Sequence, residues 1–190
     1  MSRLKKRIII TSFASNVARM ETAFYCAEKT GRQISLVGRS MYRIFKAARQ
    51  CGYLKNVIEP VDPREVKNIS REKIVYLCTG SQGEPMGAMM RISSYNHPDV
   101  LIENDDAVIF SSKIIPGNEK KLYKLHNQLV KEGIEVISED SEFVHVSGHP
   151  NREDLREMYS WVKPKCIIPV HGEHRHMIEH INFAKEMNVP

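Results

Sequence analysis

Short apolar runs rich in β-branched residues alternate with helix-length segments along most of this chain, and glycines or polar turns punctuate them. Arg7 to Ser12 reads as a buried strand, Asn16 to Thr30 as a helix ended by Gly31, and Gln33 to Val37 as a second strand. A second helix over Ser40 to Gln50 stops at Gly52. After a polar connection around Pro60 and Pro63, Lys73 to Cys78 forms a third strand. Thr79 to Gly83 then turns into a helix over Pro85 to Ser93, with proline at its first position. Ala107 to Ser111 is a fourth strand, and Asn118 to Glu132 a long helix closed by Gly133. Short strands follow at Glu135 to Ile137 and Phe143 to Val146. Parallel strands need helix-length crossovers, so this alternation predicts an α/β fold whose mainly parallel sheet carries helices on both faces.

The same logic places two histidines. Arg152 to Val162 reads as one helix, with Leu155, Met158, Tyr159 and Val162 at helical spacing. It lies between the phrases Val146-Ser147-Gly148-His149-Pro150 and Pro169-Val170-His171-Gly172-Glu173, each an apolar run that halts near a glycine. A strand-helix-strand unit returns both strand tips to one sheet edge, so His149 and His171 are expected at a common rim. Neutral imidazole is a proton carrier near neutral pH and a metal ligand. Either histidine alone is better read as a packed or surface residue, and only the pair in matching strand-end settings makes a site an equal reading. A catalytic zinc site needs three protein ligands at least, and the nearby candidates are His145, Glu173, His174, His176 and His180. Their spacing matches no metal-hydrolase motif, and the pair His176 and His180 suits a solvated helix face. The chain offers pieces of a site rather than a complete one.

With 190 residues, 42% of them hydrophobic, the chain can bury one good core. No apolar run reaches membrane-spanning length, and Met1-Ser-Arg-Leu-Lys-Lys-Arg7 precedes a run far too short for a secretion signal. Cys26, Cys51, Cys78 and Cys166 lie far apart without CxxC spacing, which points to buried thiols in a reduced, cytoplasmic protein. A net charge of +5 permits a polyanionic partner without requiring one.

Three strand-to-helix junctions are polar: Thr11-Ser-Phe-Ala-Ser-Asn16, Cys78-Thr-Gly-Ser-Gln-Gly-Glu-Pro85 and Ser111-Ser-Lys-Ile-Ile-Pro-Gly-Asn118. Free N–H groups at helix starts, with hydroxyls beside them, suit phosphate oxygens. Ser12, Ser15, Asn16, Ser81 and Gln82 are the candidate contacts on that edge. Ordinary N-capping explains any one junction by itself. Neither GxxxxGK[ST] nor GxGxxG occurs, which argues against nucleoside triphosphate and dinucleotide chemistry.

Thr11-Ser-Phe-Ala-Ser-Asn16, Gly38-Arg-Ser-Met41, Thr79-Gly-Ser-Gln-Gly-Glu-Pro-Met86, Pro116-Gly-Asn118, Ser147-Gly-His149 and Pro169-Val-His-Gly-Glu173 resemble, in order, the β-CASP region of the ribonuclease J family. The resemblance runs from about residue 7 to residue 175. It implies a Rossmann-like three-layer β-CASP domain over 7–143. Residues 144–190 would be a βαβα return segment belonging to a metallo-β-lactamase fold. It further implies RNA as partner and cleavage both internally and from the 5′ end. Two metal ions would assist, zinc in the first place, with manganese or magnesium as alternatives. By the same resemblance His149 stands beside the scissile phosphate, His171 ligates one metal ion, and Ser147, Gly148 and His145 lie along RNA phosphate. Relatives of this kind also form homo-oligomers.

One departure limits what this stretch can do. The family's HxHxDH metal cluster is missing, and no histidine precedes His97. His171 cannot hold two metal ions, since each needs several ligands and an open position for water. The expectation is therefore a part of a ribonuclease J-like enzyme that is inactive alone, with the residues after about His145 lacking their sheet neighbours. Three rivals stand beside it: an RNA-binding module without chemistry, a small-substrate metal hydrolase built on the C-terminal histidines, and an assembly domain.

Overall fold

The computed structural model of the protein describes residues 1–189. Strand β1 (Ile8–Thr11) occupies the middle of a five-stranded sheet and pairs in parallel with β3 (Ile74–Cys78) on one side and β4 (Ala107–Phe110) on the other. Beyond them lie β2 (Gln33–Val37) and β5 (Glu135–Ile137), giving the order β2-β3-β1-β4-β5 with every pair parallel. The registers are continuous: Ile8 faces Val75 and Ala107, and Thr11 faces Cys78 and Phe110. The three central strands are buried along their whole length, which is why they read as unbroken apolar runs rather than as alternating ones.

Strand parity divides the core into two layers. Ile8, Ile10, Ile34, Leu36, Val75, Leu77 and Ile109 face α1 (Val17–Lys29) and α2 (Arg39–Gln50), which contribute Met20, Phe24, Met41 and Phe45. Phe24 and Phe45 stack with centroids 5.5 Å apart and lock the two helices together. Ile9, Ile74, Tyr76, Val108 and Phe110 face the opposite layer, formed by α3 (Ala88–Ser93) and α4 (Glu119–Lys131) through Met89, Ile92, Leu122, Leu125 and Leu129. Each such side chain contributes on the order of 1.5–3 kcal/mol by leaving water. The expected α/β architecture with helices on both faces is the one observed.

The connection from α2 to β3 is not a simple crossover. Val57 and Ile58 pack on the α1–α2 side, and the Val61 N–H donates to the Ile34 carbonyl on β2 at 2.8 Å. Val66 and Ile69 then pack on the opposite side, around two short 3-10 turns at Val66–Asn68 and Arg71–Lys73. The chain thus wraps around the outer edge of β2 and covers a strand edge that would otherwise be open to pairing.

Contacts divide the chain into two units, Met1–Val146 and a second starting at Ser147. The second contains α5 (Arg152–Val162) and α6 (His174–Glu186). Asn151 caps α5 by accepting from the Glu153 and Asp154 N–H groups at 2.8 and 3.0 Å, and Asp154 accepts from the Asn151 N–H in return. Phe183 on α6 is buried beneath the guanidinium groups of Arg152 and Arg156 and the ring of Tyr159.

Two expectations need correction. No strand forms over Phe143–Val146 or over the apolar run before His171 among the described residues, so the βαβ unit lacks its strands. Both stretches are non-helical, with no neighbour to supply a hydrogen-bonded ladder, and Phe143, Ile168 and Val170 are more than 80% exposed. The third helix starts at Ala88 and not at Pro85, because Glu84 to Gly87 close a turn in which the Gly87 N–H donates to the Glu84 carbonyl at 2.8 Å.

Candidate functional site

His149 and His171 come together in the second unit. Their rings meet edge to face, with centroids 5.5 Å apart. His149 precedes α5, and its N–H donates to the Ser147 hydroxyl at 3.1 Å, a local turn that fixes the Ser147-Gly148-His149 backbone. His171 precedes α6 and is followed by Gly172, whose φ is +112°. A Cβ there would lie 3.0 Å from the His176 Cβ, so only glycine lets the chain turn from His171 into α6 so tightly. Ser147, Gly148, His149 and His171 are all exposed. Two imidazoles this close, open to solvent, can share a ligand or pass a proton.

The other C-terminal histidines are differently employed. The Glu173 N–H donates to His176 Nδ1 at 3.1 Å, which caps α6, and His180 Nε2 is bonded to the Tyr159 hydroxyl. His174 lies exposed on the first turn. Among the described residues no three His, Cys, Asp or Glu side chains are grouped to hold a metal ion. The residues present therefore do not fit a whole metal site, although His149 stands beside His171.

In the first unit the polar junctions line the C-terminal edge of the sheet. Asn16 accepts from the Arg19 N–H at 2.9 Å and caps α1, with Ser15 exposed beside it. Ser12 and Ser81 are buried, and the Ser81 hydroxyl has no partner. Gln82 is only 4% exposed. Its amide nitrogen donates to the Lys113 carbonyl at 2.9 Å and to the Ser112 hydroxyl at 3.3 Å, while its oxygen accepts from the Ile115 N–H at 2.9 Å and from the Asn118 amide. With both ends of its amide engaged, Gln82 ties the β3 and β4 loops together and is not free for a phosphate. That corrects its expected role as a contact, since burial and satisfaction cannot be read from residue type. His145 is half-buried with Nδ1 unpartnered. Burial lowers its pKa, Arg19 and Lys113 lower it further, and Glu139 opposes them. Arg19 also donates to the Ser111 hydroxyl at 2.8 Å and to the Val144 carbonyl at 2.9 Å, holding the stretch before His145 against the β4 loop.

One feature of this edge was missed. A cavity of about 1220 Å³ opens where β2 and β3 end, between Gly38-Arg39-Ser40, Arg43, Thr79 and Arg91. Its signal in the sequence was Arg39 and Arg43, one helical turn apart in a helix without a single acidic residue.

Family comparison covers both units of the chain. Residues 5–129 match the model of the ribonuclease J β-CASP domain, and residues 133–190 match that of the Zn-dependent metallo-hydrolase RNA specificity domain. Ribonuclease J from Sinorhizobium meliloti is 40% identical over 184 residues, covering 97% of this chain and 33% of that protein. Ribonuclease J 1 of Streptococcus pyogenes is 40% identical over 185 residues, with the same coverage. Ribonuclease J of Synechocystis is 36% identical over 192 residues, which is all of this chain and 30% of that relative. The chain thus spans about a third of the length of the curated relatives it matches. Matched over most of its length by the β-CASP model, the chain belongs to the ribonuclease J family.

Proposed function

We propose that this chain is part of a metal-dependent ribonuclease that hydrolyses RNA phosphodiester bonds, cutting internally and from the 5′ end. The observation that carries the reading is the edge-to-face pair His149 and His171, exposed at the entries to two helices within the segment matched by the RNA specificity domain. We assign 7–143 to a β-CASP-like domain and 144–190 to a segment that completes a metallo-β-lactamase-type domain. The exposed Phe143, Ile168 and Val170 support the second assignment, because apolar extended segments of this kind gain ladders only from a neighbouring sheet.

Hydrolysis adds a water oxygen to phosphorus and breaks a P–O bond, and the departing ribose oxygen leaves with a proton. His149 is the group placed to hold or deliver that proton, an exposed imidazole whose backbone is pinned by Ser147. Ser147 and Gly148 lie exposed in the turn just before α5, beside His149, where they would face the RNA phosphate. His171 would supply one ligand to a metal site whose other ligands lie outside this chain, with zinc as the ion named for the matching domain. By itself the chain would be inactive, since the described residues group no complete ligand set. The four free thiols suit a reducing cytoplasm. No helix among the described residues is long and apolar enough to cross a membrane.

The test is cleavage of a 5′-monophosphorylated RNA by the chain alone and by a protein of the relatives' full length that contains it. Cleavage by the longer protein, lost on His149→Ala, is the expected result. Undiminished cleavage by that variant would remove His149 from the chemistry.

A further inference from the structure

The cavity at the ends of β2 and β3 carries an electrostatic arrangement that the protein itself leaves uncompensated. Arg39 occupies the first turn of α2, where the helix dipole is positive and acidic side chains are favoured, yet no acidic residue is present in that turn or anywhere in the helix. Arg43 follows one turn later on the same face, a like-charge spacing that opposes helix formation. Neither arginine has a carboxylate partner among the described residues, whereas Arg49 at the other end of α2 is paired with Glu59. Arg91 faces the same cavity from α3, and Asp99 is the one carboxylate in its lining.

The backbone adds to this. Gly38 takes φ +109° at the start of α2 and leaves the first N–H groups of the helix without a side-chain cap. A Cβ at Gly38 would come within 3.1 Å of the Thr79 hydroxyl, so glycine here brings the β2 and β3 loops close and keeps the helix start open. In the same lining Met86 stands 89% exposed, and Pro85 and Pro98 are exposed too. Exposed apolar surface next to an anion site is what a nucleobase attached to its phosphate requires. At about 1220 Å³ the cavity exceeds the usual range for a small ligand, about 300–1,000 Å³, and so suits a segment of a polymer.

We propose that this cleft binds the phosphodiester backbone of single-stranded RNA through Arg39, Arg43 and Arg91, with bases lying on Met86 and the neighbouring prolines. The proposal rests on the RNA reading above and adds a second place where this chain holds the strand. Binding here is electrostatic and indifferent to sequence, so it weakens as salt rises.

The experiment is fluorescence anisotropy of the whole chain with a labelled single-stranded RNA decamer across a salt series. It compares the wild type with the double variant Arg39→Ala/Arg43→Ala. The control is Lys29→Ala/Lys131→Ala, which removes equal charge from the opposite ends of α1 and α4. The expected result is at least about a tenfold loss of affinity for the arginine variant, with the log–log salt slope shallower by about 0.7 for each phosphate contact removed. The control variant should stay within about threefold of the wild type. Circular dichroism should show both variants folded. An arginine variant that binds no worse than the control overturns this proposal and leaves the RNA reading intact. A wild type that binds no RNA also overturns this proposal, while the RNA reading itself stands or falls on the cleavage assay with the longer protein. Adenosine monophosphate and inorganic phosphate serve as competitors. If either displaces the decamer at concentrations where it saturates the cleft by itself, a free nucleotide and not a strand is the occupant, and the proposal fails.

Discussion

His149 and His171 lie 22 positions apart in sequence, yet their rings meet edge to face at 5.5 Å. Helix α5 fills the interval between them. If His149 handles the proton and His171 a metal ion, the two must fail differently when removed. In a protein of the relatives' full length, His149→Ala should lower RNA cleavage by about 100-fold or more while bound zinc stays unchanged. His171→Ala should lower both. Equal zinc content in the two variants, measured by elemental analysis, would contradict this division of roles.

How much of this was legible in the sequence depends on where each element finds its partners. Strands β1 to β4 were visible because each is buried along most of its length, so that composition alone marks it. Strand β5, with only Ile137 buried, was marked instead by the Gly133 stop and the Val136-Ile137 pair that follows it. The run before His171 has the same composition and forms no strand, because a strand exists only with a neighbour to complete its ladder. The histidine pair was anticipated on a βαβ argument that the structure does not bear out. The rings still meet, through the α5 and α6 entry turns. Gln82 and Ser81 show the other limit: a polar residue in a loop can point outward or inward, and these two point inward.

Gln82 should therefore matter for stability. Gln82→Ala removes an acceptor from the Ile115 N–H and a donor from the Lys113 carbonyl, leaving buried polar groups without partners. The expected cost is about 2 kcal/mol, read as a lower urea midpoint with an unchanged slope. A variant as stable as the wild type would mean that water replaces the amide.

Stability should also fall on acidification below about pH 6.5. His126 packs against Phe110 with centroids 4.3 Å apart and leaves Nε2 buried without a partner. Burial lowers its pKa below the ordinary value of 6.5, although Asp140 opposes the shift. The unfolded chain then takes up a proton at a higher pH than the folded one. The native state accordingly loses stability as pH falls through 6.5 toward the depressed folded value, and nothing is lost above it. His97 and His145 are shifted in the same direction, in each case first by burial. His126→Gln should lose less stability than the wild type between about pH 7.5 and pH 5.5. Parallel curves for the two proteins would show that His126 is not a source of the effect.

The thiols divide by the same physics. Cys51 and Cys166 are exposed, while Cys78 ends β3 with no surface at all. Burial pushes the Cys78 pKa up to about 12, although the neighbouring Thr11 hydroxyl opposes the shift. The thiolate is the reactive species, so Cys78 is shielded twice, by access and by protonation. Treated with iodoacetamide at mildly alkaline pH, Cys51 and Cys166 should be alkylated first, as read by mass spectrometry of the peptides. Cys78 should react only as fast as the sheet opens, and added urea should raise its rate steeply, because β3 pairs on both sides. Alkylation of Cys78 at the rate of Cys51 in native buffer would mean that β3 leaves the sheet easily, contrary to a core built around it.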